Sequence, residues 1–336
     1  MPSLLSVDPP VALVLGANGR IGREAVQAFA AAGWRVAAQA RRPLGYSIPG
    51  VRHVSAALED PAALVSAAAG ARAVIHAVNP PYPRWERDVL PLARLAMDAA
   101  SRLDATLFLP GNVYNFGEAM PATLPEDTAA RPSNPFGEVR VRLEDELRAR
   151  GDLRSVVLRA GDFFGSGTGA WFDLVLTASL AKGKLVYPGP RDRVHSWAYL
   201  PDLARTLVAL AGRTDLPRFS RWHFAGHALT GDELLDGLEA AARELGVGPA
   251  RAFKRGGIPW PLLRLAALVS ANWRAIVSLS YLWRVPHALD GGALQRLLGE
   301  VPHTPLPEAL RASLVELGVA SGAAPARALT AKTAAS

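Results

Sequence analysis

The segment Val11-Ala-Leu-Val-Leu-Gly-Ala-Asn-Gly-Arg-Ile-Gly22 constrains the fold more than any other stretch of the chain. Five consecutive apolar residues read as a strand buried on both faces, the pattern of a parallel sheet. Glycines at 16, 19 and 22 follow where that strand must turn into a helix. The turn glycine lets the backbone bend tightly and lets a phosphate approach main-chain N–H groups. The last glycine lets the helix pack close to the strand, and the helix N-terminus offers free donors and a partial positive charge. The turn residues Gly16, Asn18, Gly19, Arg20, Ile21 and Gly22 are therefore expected to hold a dinucleotide.

The same alternation continues. Strands are expected at Val11–Leu15, Trp34–Gln39, Val51–Val54, Ala73–Ala77, Thr106–Leu109 and Ser155–Arg159. Helices are expected at Ile21–Ala32, Pro61–Ala69, Arg84–Ser101 and Phe136–Arg150. This spacing predicts right-handed crossovers and an α/β, Rossmann-like doubly wound parallel sheet. Residues 10–165 would form that domain, with some later segments returning to it. Residues 166–318 read as a smaller, mostly helical substrate or lid region, with a helix at Ala170–Ala181 and a strand at Arg221–Phe224. Residues 319–336 are small and polar without apolar periodicity, the composition of a disordered tail.

Composition removes other classes. The net charge is +7, but the basic residues are spread along the chain, without the interleaved aromatics or finger spacing of a nucleic-acid binder. There is no cysteine, hence no thiolate nucleophile, disulfide or cysteine metal site. The seven histidines show no metal-ligand spacing, so no metal is expected. Residues 1–10 lack a signal-peptide pattern. Ile258–Trp283 is the most lipid-like stretch, but Arg264, Asn272 and Arg274 interrupt it, so it reads as a helix of the C-terminal core or of a dimer interface. A cytoplasmic protein with a small-molecule substrate is expected, without nucleic acid or membrane insertion; a homodimer is left open.

The end of the second strand bears on which dinucleotide. An acidic residue there would bond the ribose hydroxyls, whereas an arginine would pair with a 2′-phosphate. Here it reads Gln39-Ala-Arg41-Arg42, which favours NADP(H) over NAD(H), with Arg41 as the contact.

Several ordered segments resemble the extended short-chain dehydrogenase/reductase family of the sugar epimerase/dehydratase type, over roughly residues 10–230. They are the glycine turn, Leu58-Glu-Asp60, Ala73-Val-Ile-His-Ala77, Asn112-Val-Tyr114, Arg131-Pro-Ser-Asn-Pro-Phe-Gly137, Leu158-Arg-Ala-Gly-Asp-Phe-Phe-Gly165 and Val194-His-Ser-Trp-Ala-Tyr-Leu-Pro-Asp202. The resemblance implies Leu58 near the adenine, Ala77, Val78 and Asn79 near the ribose and pyrophosphate, and Gly161 to Phe163 near the nicotinamide. It also implies a Ser or Thr after the fifth strand and a Tyr and Lys four residues apart on the next helix. The matching positions here are Pro110 or Gly111, Phe136 and Arg140. Phenylalanine has no proton to give, and the arginine pKa is too high for proton transfer at neutral pH, although Arg140 could still grip a ribose.

Substitute groups are Tyr114, whose phenol would be activated if Arg140 lowered its pKa, and Tyr199, with His195 and Asp162 as further possibilities. Tyr82, Trp85, Phe163, Phe164, Trp171 and Phe172 would line the cleft. Three functions stay open: an NADP(H)-dependent oxidoreductase on a small carbonyl or conjugated substrate with a nonstandard proton donor, a non-catalytic NADP(H)-binding sensor or interaction protein, and a nucleotide-sugar epimerase or dehydratase.

Overall fold

The computed structural model describes residues 8–249 and 251–319; the expected tail therefore lies almost wholly outside the described residues. The strands are β1 (Val11–Leu15), β2 (Arg35–Gln39), β3 (Val51–Val54), β4 (Ala71–His76), β5 (Thr106–Gly111), β6 (Thr123–Leu124), β7 (Arg154–Arg159), β8 (Asp162–Phe164), β9 (Lys184–Tyr187), β10 (Val194–Tyr199), β11 (Phe219–His223), β12 (His227–Thr230), β13 (Lys254–Gly257) and β14 (Ala288–Leu289). The helices are α1 (Arg20–Ala31), α2 (Pro61–Ala67), α3 (Trp85–Arg102), α4 (Pro135–Ala149), α5 (Leu200–Ala211), α6 (Gly231–Glu244), α7 (Trp260–Ala267), α8 (Ala271–Ser278), α9 (Gly292–Leu298) and α10 (Leu306–Glu316).

Seven strands form one sheet in the order β11-β7-β5-β4-β1-β2-β3, and every neighbour pair is parallel. Strand alternation divides its apolar residues between two cores. Leu13 and Leu15 face α2, α3 and α4, whereas Ala12 and Val14 face α1, α5 and α9. With both faces covered, the strands can be continuously apolar, and all carboxyl ends open on one edge. A third core joins α6 and α10 to Phe164, Phe172, Leu185, Tyr187 and Trp197 in the C-terminal part.

That part is sewn to the first half. Strand β11 returns to the edge of the main sheet, and β14 pairs with β6 through Ala288–Thr123 and Leu289–Leu124. The N–H of His287 donates to Val194 and that of Ser196 to His287, while Leu289 N–H donates to Ser196 Oγ at 2.9 Å. Beneath the main sheet, Glu144 and Arg159 form a buried double hydrogen bond of 2.6 and 3.0 Å, with the guanidinium stacked 4.8 Å over Phe116.

Two expectations are corrected. The helix anticipated over Ala170–Ala181 is one wide turn, Phe172–Leu176, closed by Thr177 N–H donating to the Phe172 carbonyl. Positive φ at Gly165, Gly167 and Gly169 brings the chain in from a loop, and Asp173 takes the N–H groups of Gly169 and Ala170. Ile258–Trp283 is likewise not one helix. Pro259 and Pro261 start α7 and the Ser270 cap starts α8 after a break; α7 buries only Ala267, whereas α8 buries Ala275 and Ile276.

Candidate functional site at the carboxyl edge of the sheet

The glycine turn is closed against the neighbouring loop. Gly16 has φ +81°, and a Cβ there would lie 3.1 Å from the Ala77 and Val78 backbone. A Cβ on Gly22 would lie 2.2 Å from the Gly16 carbonyl oxygen, so only glycine permits this approach of helix to strand. Helix α1 has no acidic residue in its first turn to neutralise its positive end. The cradle fits a pyrophosphate on steric and electrostatic grounds.

The second strand ends differently from a simple arginine site. Gln39 is buried, accepts from Gly16 N–H at 3.2 Å and donates to the Ala56 carbonyl at 2.9 Å. Asn18 donates to the carbonyls of Arg42 and Pro43, and Tyr46 to that of Ala17. Arg41 and Arg42 themselves are exposed beside the turn. Arg20 spans to the far wall, where its guanidinium donates to the Ser166 and Gly165 carbonyls. Leu58 is buried, Ala77 and Val78 are half-buried and Asn79 is exposed. Phe163 is half-buried in β8, paired with Ala198.

The positions that the resemblance would make catalytic are filled by other side chains. Gly111 lies within β5, and a Cβ there would meet Arg159 Cγ at 2.9 Å, Val157 Cγ1 at 3.1 Å and Arg159 Cα at 3.2 Å. A serine would need the buried Arg159 to move. Phe136, at the start of α4, packs edge-on against Tyr82 and Trp85 with centroids 5.5 and 5.8 Å apart. Arg140, one turn later, stacks 4.8 Å over Trp85, and its buried Nε has no protein partner. Burial lowers its pKa, opposed by Tyr114, Glu144 and Tyr82. An orphaned buried donor of this kind fits a ribose hydroxyl.

Beyond Phe136 stand two phenols. The hydroxyls of Tyr82 and Tyr114 lie 2.9 Å apart. Burial raises both pKa values, that of Tyr114 well above its ordinary value, with Tyr82 and Asp162 adding to the rise. The expected activation of Tyr114 by Arg140 is thus corrected: desolvation and the facing oxygens outweigh the guanidinium, and the Tyr114 phenol stays protonated at neutral pH. Asp162 is held by burial at about 7. His76, at the end of β4, is lowered to about 4 by burial and then by Arg140, and its Nδ1 has no partner.

Tyr199 lies elsewhere, tilted against Phe164 with centroids 5.2 Å apart and beneath Gly165, in the field of Asp202, Glu24 and Glu316. His195 is wholly buried; its Nδ1 meets the Tyr187 hydroxyl at 2.9 Å and its ring stacks on His287. Three residues far apart in sequence, Asp202, His227 and His303, bring one potential ligand atom each within 4.8 Å of the others. Asp202, however, already accepts from Thr304 N–H, Thr304 Oγ1 and Arg205. Sequence reasoning missed His76 and the pairing of Tyr82 with Tyr114; the run of aromatics at 82 and 85 was its only signal.

Residues 16–169 match a family model described as NAD(P)H-binding. Among solved structures, MoeE5 in complex with UDP-glucose and NAD is 21% identical, with a TM-score of 0.67 over 91% of this chain and 97% of that one. WbmH of Bordetella bronchiseptica in complex with NAD+ is 18% identical, with a TM-score of 0.68 over 91% and 98%. UDP-glucose 4-epimerase of Bifidobacterium longum in complex with NAD+ and UDP is 16% identical, with a TM-score of 0.68 over 90% and 97%. At these identities the likeness is one of fold. No curated protein matches the chain.

Proposed function

We infer, from the premise that residues 16–169 form an NAD(P)H-binding domain, that the chain is a nicotinamide-dependent oxidoreductase whose proton donor is Tyr114. The observation that carries this reading is the hydrogen-bonded pair Tyr82–Tyr114 at the carboxyl edge of the sheet, beside the orphaned Arg140 Nε. Held by the glycine turn and Arg140, a nicotinamide would supply hydride to, or take it from, a substrate carbon. The chain's own residues handle the oxygen. Tyr114 gives its phenolic proton to the carbonyl oxygen as that oxygen becomes negative, and Tyr82 returns a proton to Tyr114 across their shared hydrogen bond. Arg140 grips the ribose and offsets the negative charge left on the phenols. Asp162 sets the field that both phenols feel. The wall formed by Phe136, Trp85 and Tyr82 favours a flat or apolar carbonyl or conjugated substrate. Arg41, exposed where a 2′-phosphate would lie, supports NADP(H) over NAD(H).

A second reading, nucleotide-sugar chemistry, is favoured by the fold shared through the C-terminal half with enzymes that bind UDP-sugars. One experiment separates them: fluorescence titration with NADPH and NADH, then NADPH oxidation with a carbonyl panel and, separately, turnover of UDP-glucose. Carbonyl-dependent NADPH oxidation that Tyr114→Phe abolishes supports the first reading. UDP-glucose turnover without carbonyl reduction overturns it in favour of the second. Tight NADPH binding with neither activity overturns both and leaves a cofactor-binding sensor.

A further inference from the structure

Between Glu244 and Asp290 the sequence has no acidic residue, yet it carries Arg251, Lys254, Arg255, Arg264, Arg274 and Arg284. Two of these are neutralised from outside the segment, Arg255 by Asp232 and Asp236 and Arg284 by Glu118. Arg251, Lys254, Arg264 and Arg274 are exposed. In the middle of this stretch α7 and α8 form a hairpin whose tip is apolar: Leu262 and Leu265 are each 65% exposed, Leu268 is 72% and Val269 is 90%. Among the described residues only Val315 joins them as an exposed large apolar side chain. Their clustering on one hairpin separates them from scattered surface leucines.

The root of the hairpin is firmly held. Ala275, Leu279, Tyr281 and Leu282 enter the core shared with Trp85 and Phe136, and Trp260 Nε1 donates to the Pro188 carbonyl at 2.6 Å. The tip thus projects from an anchored root. From its root it lies beside the 82–84 turn that carries one of the paired phenols.

The geometry points to a docking surface for an anionic phospholipid bilayer, entered by the α7–α8 tip to interfacial depth. An apolar wedge flanked by cations combines the two signals that stable peripheral binding needs. Among the described residues no helix is long and apolar enough to cross a membrane, so the contact is peripheral. Charge decides against the other occupants. A second copy meeting the same face through a two-fold axis would set Arg264 and Arg274 near their own counterparts with no acid to offset them. The chain's own segment 320–336 carries Arg327 and Lys332 and likewise no acid.

The test is co-sedimentation of the full chain with phosphatidylcholine vesicles, with and without phosphatidylglycerol, at low and high salt. Binding to the anionic vesicles that weakens with salt is expected. The exposed pair Leu265→Asp/Val269→Asp and, separately, Arg264→Gln/Arg274→Gln should each weaken it by about tenfold or more, with circular dichroism unchanged. No preference for phosphatidylglycerol overturns the proposal, as does binding insensitive to both pairs. Sedimentation showing a dimer that Leu265→Asp/Val269→Asp converts to monomer, without vesicle binding, assigns the face to a second copy instead.

Discussion

Tyr82 and Tyr114 approach from two different loops, one before α3 and one after β5, and their hydroxyls meet at 2.9 Å with Phe136 packed edge-on against the Tyr82 ring. The aromatic ring at position 136 does not leave a hole where a phenol is missing. It forms the wall against which a different phenol is held.

Removing one hydroxyl at a time reads the order of the pair. Tyr114→Phe should lower kcat by roughly 10²–10⁴-fold without changing NADPH affinity, since no glycine-turn contact is touched. Tyr82→Phe should cost less, because Tyr114 keeps its own proton. Steady-state kinetics beside fluorescence titration checks both; equal losses would place both phenols on the substrate oxygen.

Asp162 gives a pH signature. Its carboxyl, raised by burial to about 7, is neutral below that pH, and its ionisation raises the neighbouring phenols. Carbonyl reduction should therefore fall as pH rises through about 7, and Asp162→Asn should remove that inflection. The same group binds a proton in the native chain that the unfolded chain loses near pH 4. Its contribution to stability is full below the unfolded value and lost as pH rises through about 7. Asp162→Asn should gain on the parent by a few kcal/mol at most between pH 4 and 8, because each tenfold difference in proton affinity between the folded and unfolded chain is worth about 1.4 kcal/mol. Urea denaturation at several pH values measures this.

The histidines act in the opposite sense. His76, His223, His227 and His287 are lowered to about 4 and His195 to about 3, in each case chiefly by burial. Folded, they remain neutral as pH drops from 6.5, while the unfolded chain takes up protons. Stability should fall steeply between pH 6.5 and about 4, with up to about 1.4 kcal/mol per histidine for each tenfold rise in proton concentration. Thermal melts across that range should show the loss, and His195→Asn should make the slope shallower.

The ion pair between Glu144 and Arg159 is a structural element with a large single-sided cost. Both side chains are almost wholly buried, and Asn115 also donates to Glu144 at 3.0 Å. Glu144→Gln leaves the guanidinium uncompensated and should cost about 3–5 kcal/mol by urea denaturation, with no direct effect on NADPH affinity.

Much of this was legible in the residues. The run Val11–Leu15, the turn glycines and the alternation of strands with helices through Arg159 dictate a parallel sheet, because the central strands are apolar on both faces. The return of β11 does not follow from that rule, because it is a half-buried edge strand with Ser220, Arg221 and His223 in its run. The site was legible as a set of substitutions but not as an arrangement. Phe136 and Arg140 can be read as replacements, whereas the reason Gly111 stays a glycine lies in Arg159, on the neighbouring strand and far along the chain. Tyr82 sits in a proline-bounded turn without periodicity, so nothing local aims it at Tyr114. Ile258–Trp283 was legible only in part: its second half enters the core through Ala275, Leu279, Tyr281 and Leu282, whereas α7 buries only Ala267, a division that apolar content does not show. The Ala170–Ala181 stretch failed for a different reason: its apolar residues pack inward from one wide turn, which a helical period mimics.

The short strand β14 has a bearing on how the molecule is made. Ala288 and Leu289 pair with β6 in the first half, while Leu289 and His287 bind β10 in the second. A nascent chain emerging from the ribosome can assemble the early βα units, but it cannot close β6 or β10 until residue 290 has been synthesised. In the early lobe, β6 must therefore stay unpaired while about 166 further residues are made. Truncations ending before residue 290 should therefore yield aggregation-prone fragments rather than an autonomous nucleotide-binding domain.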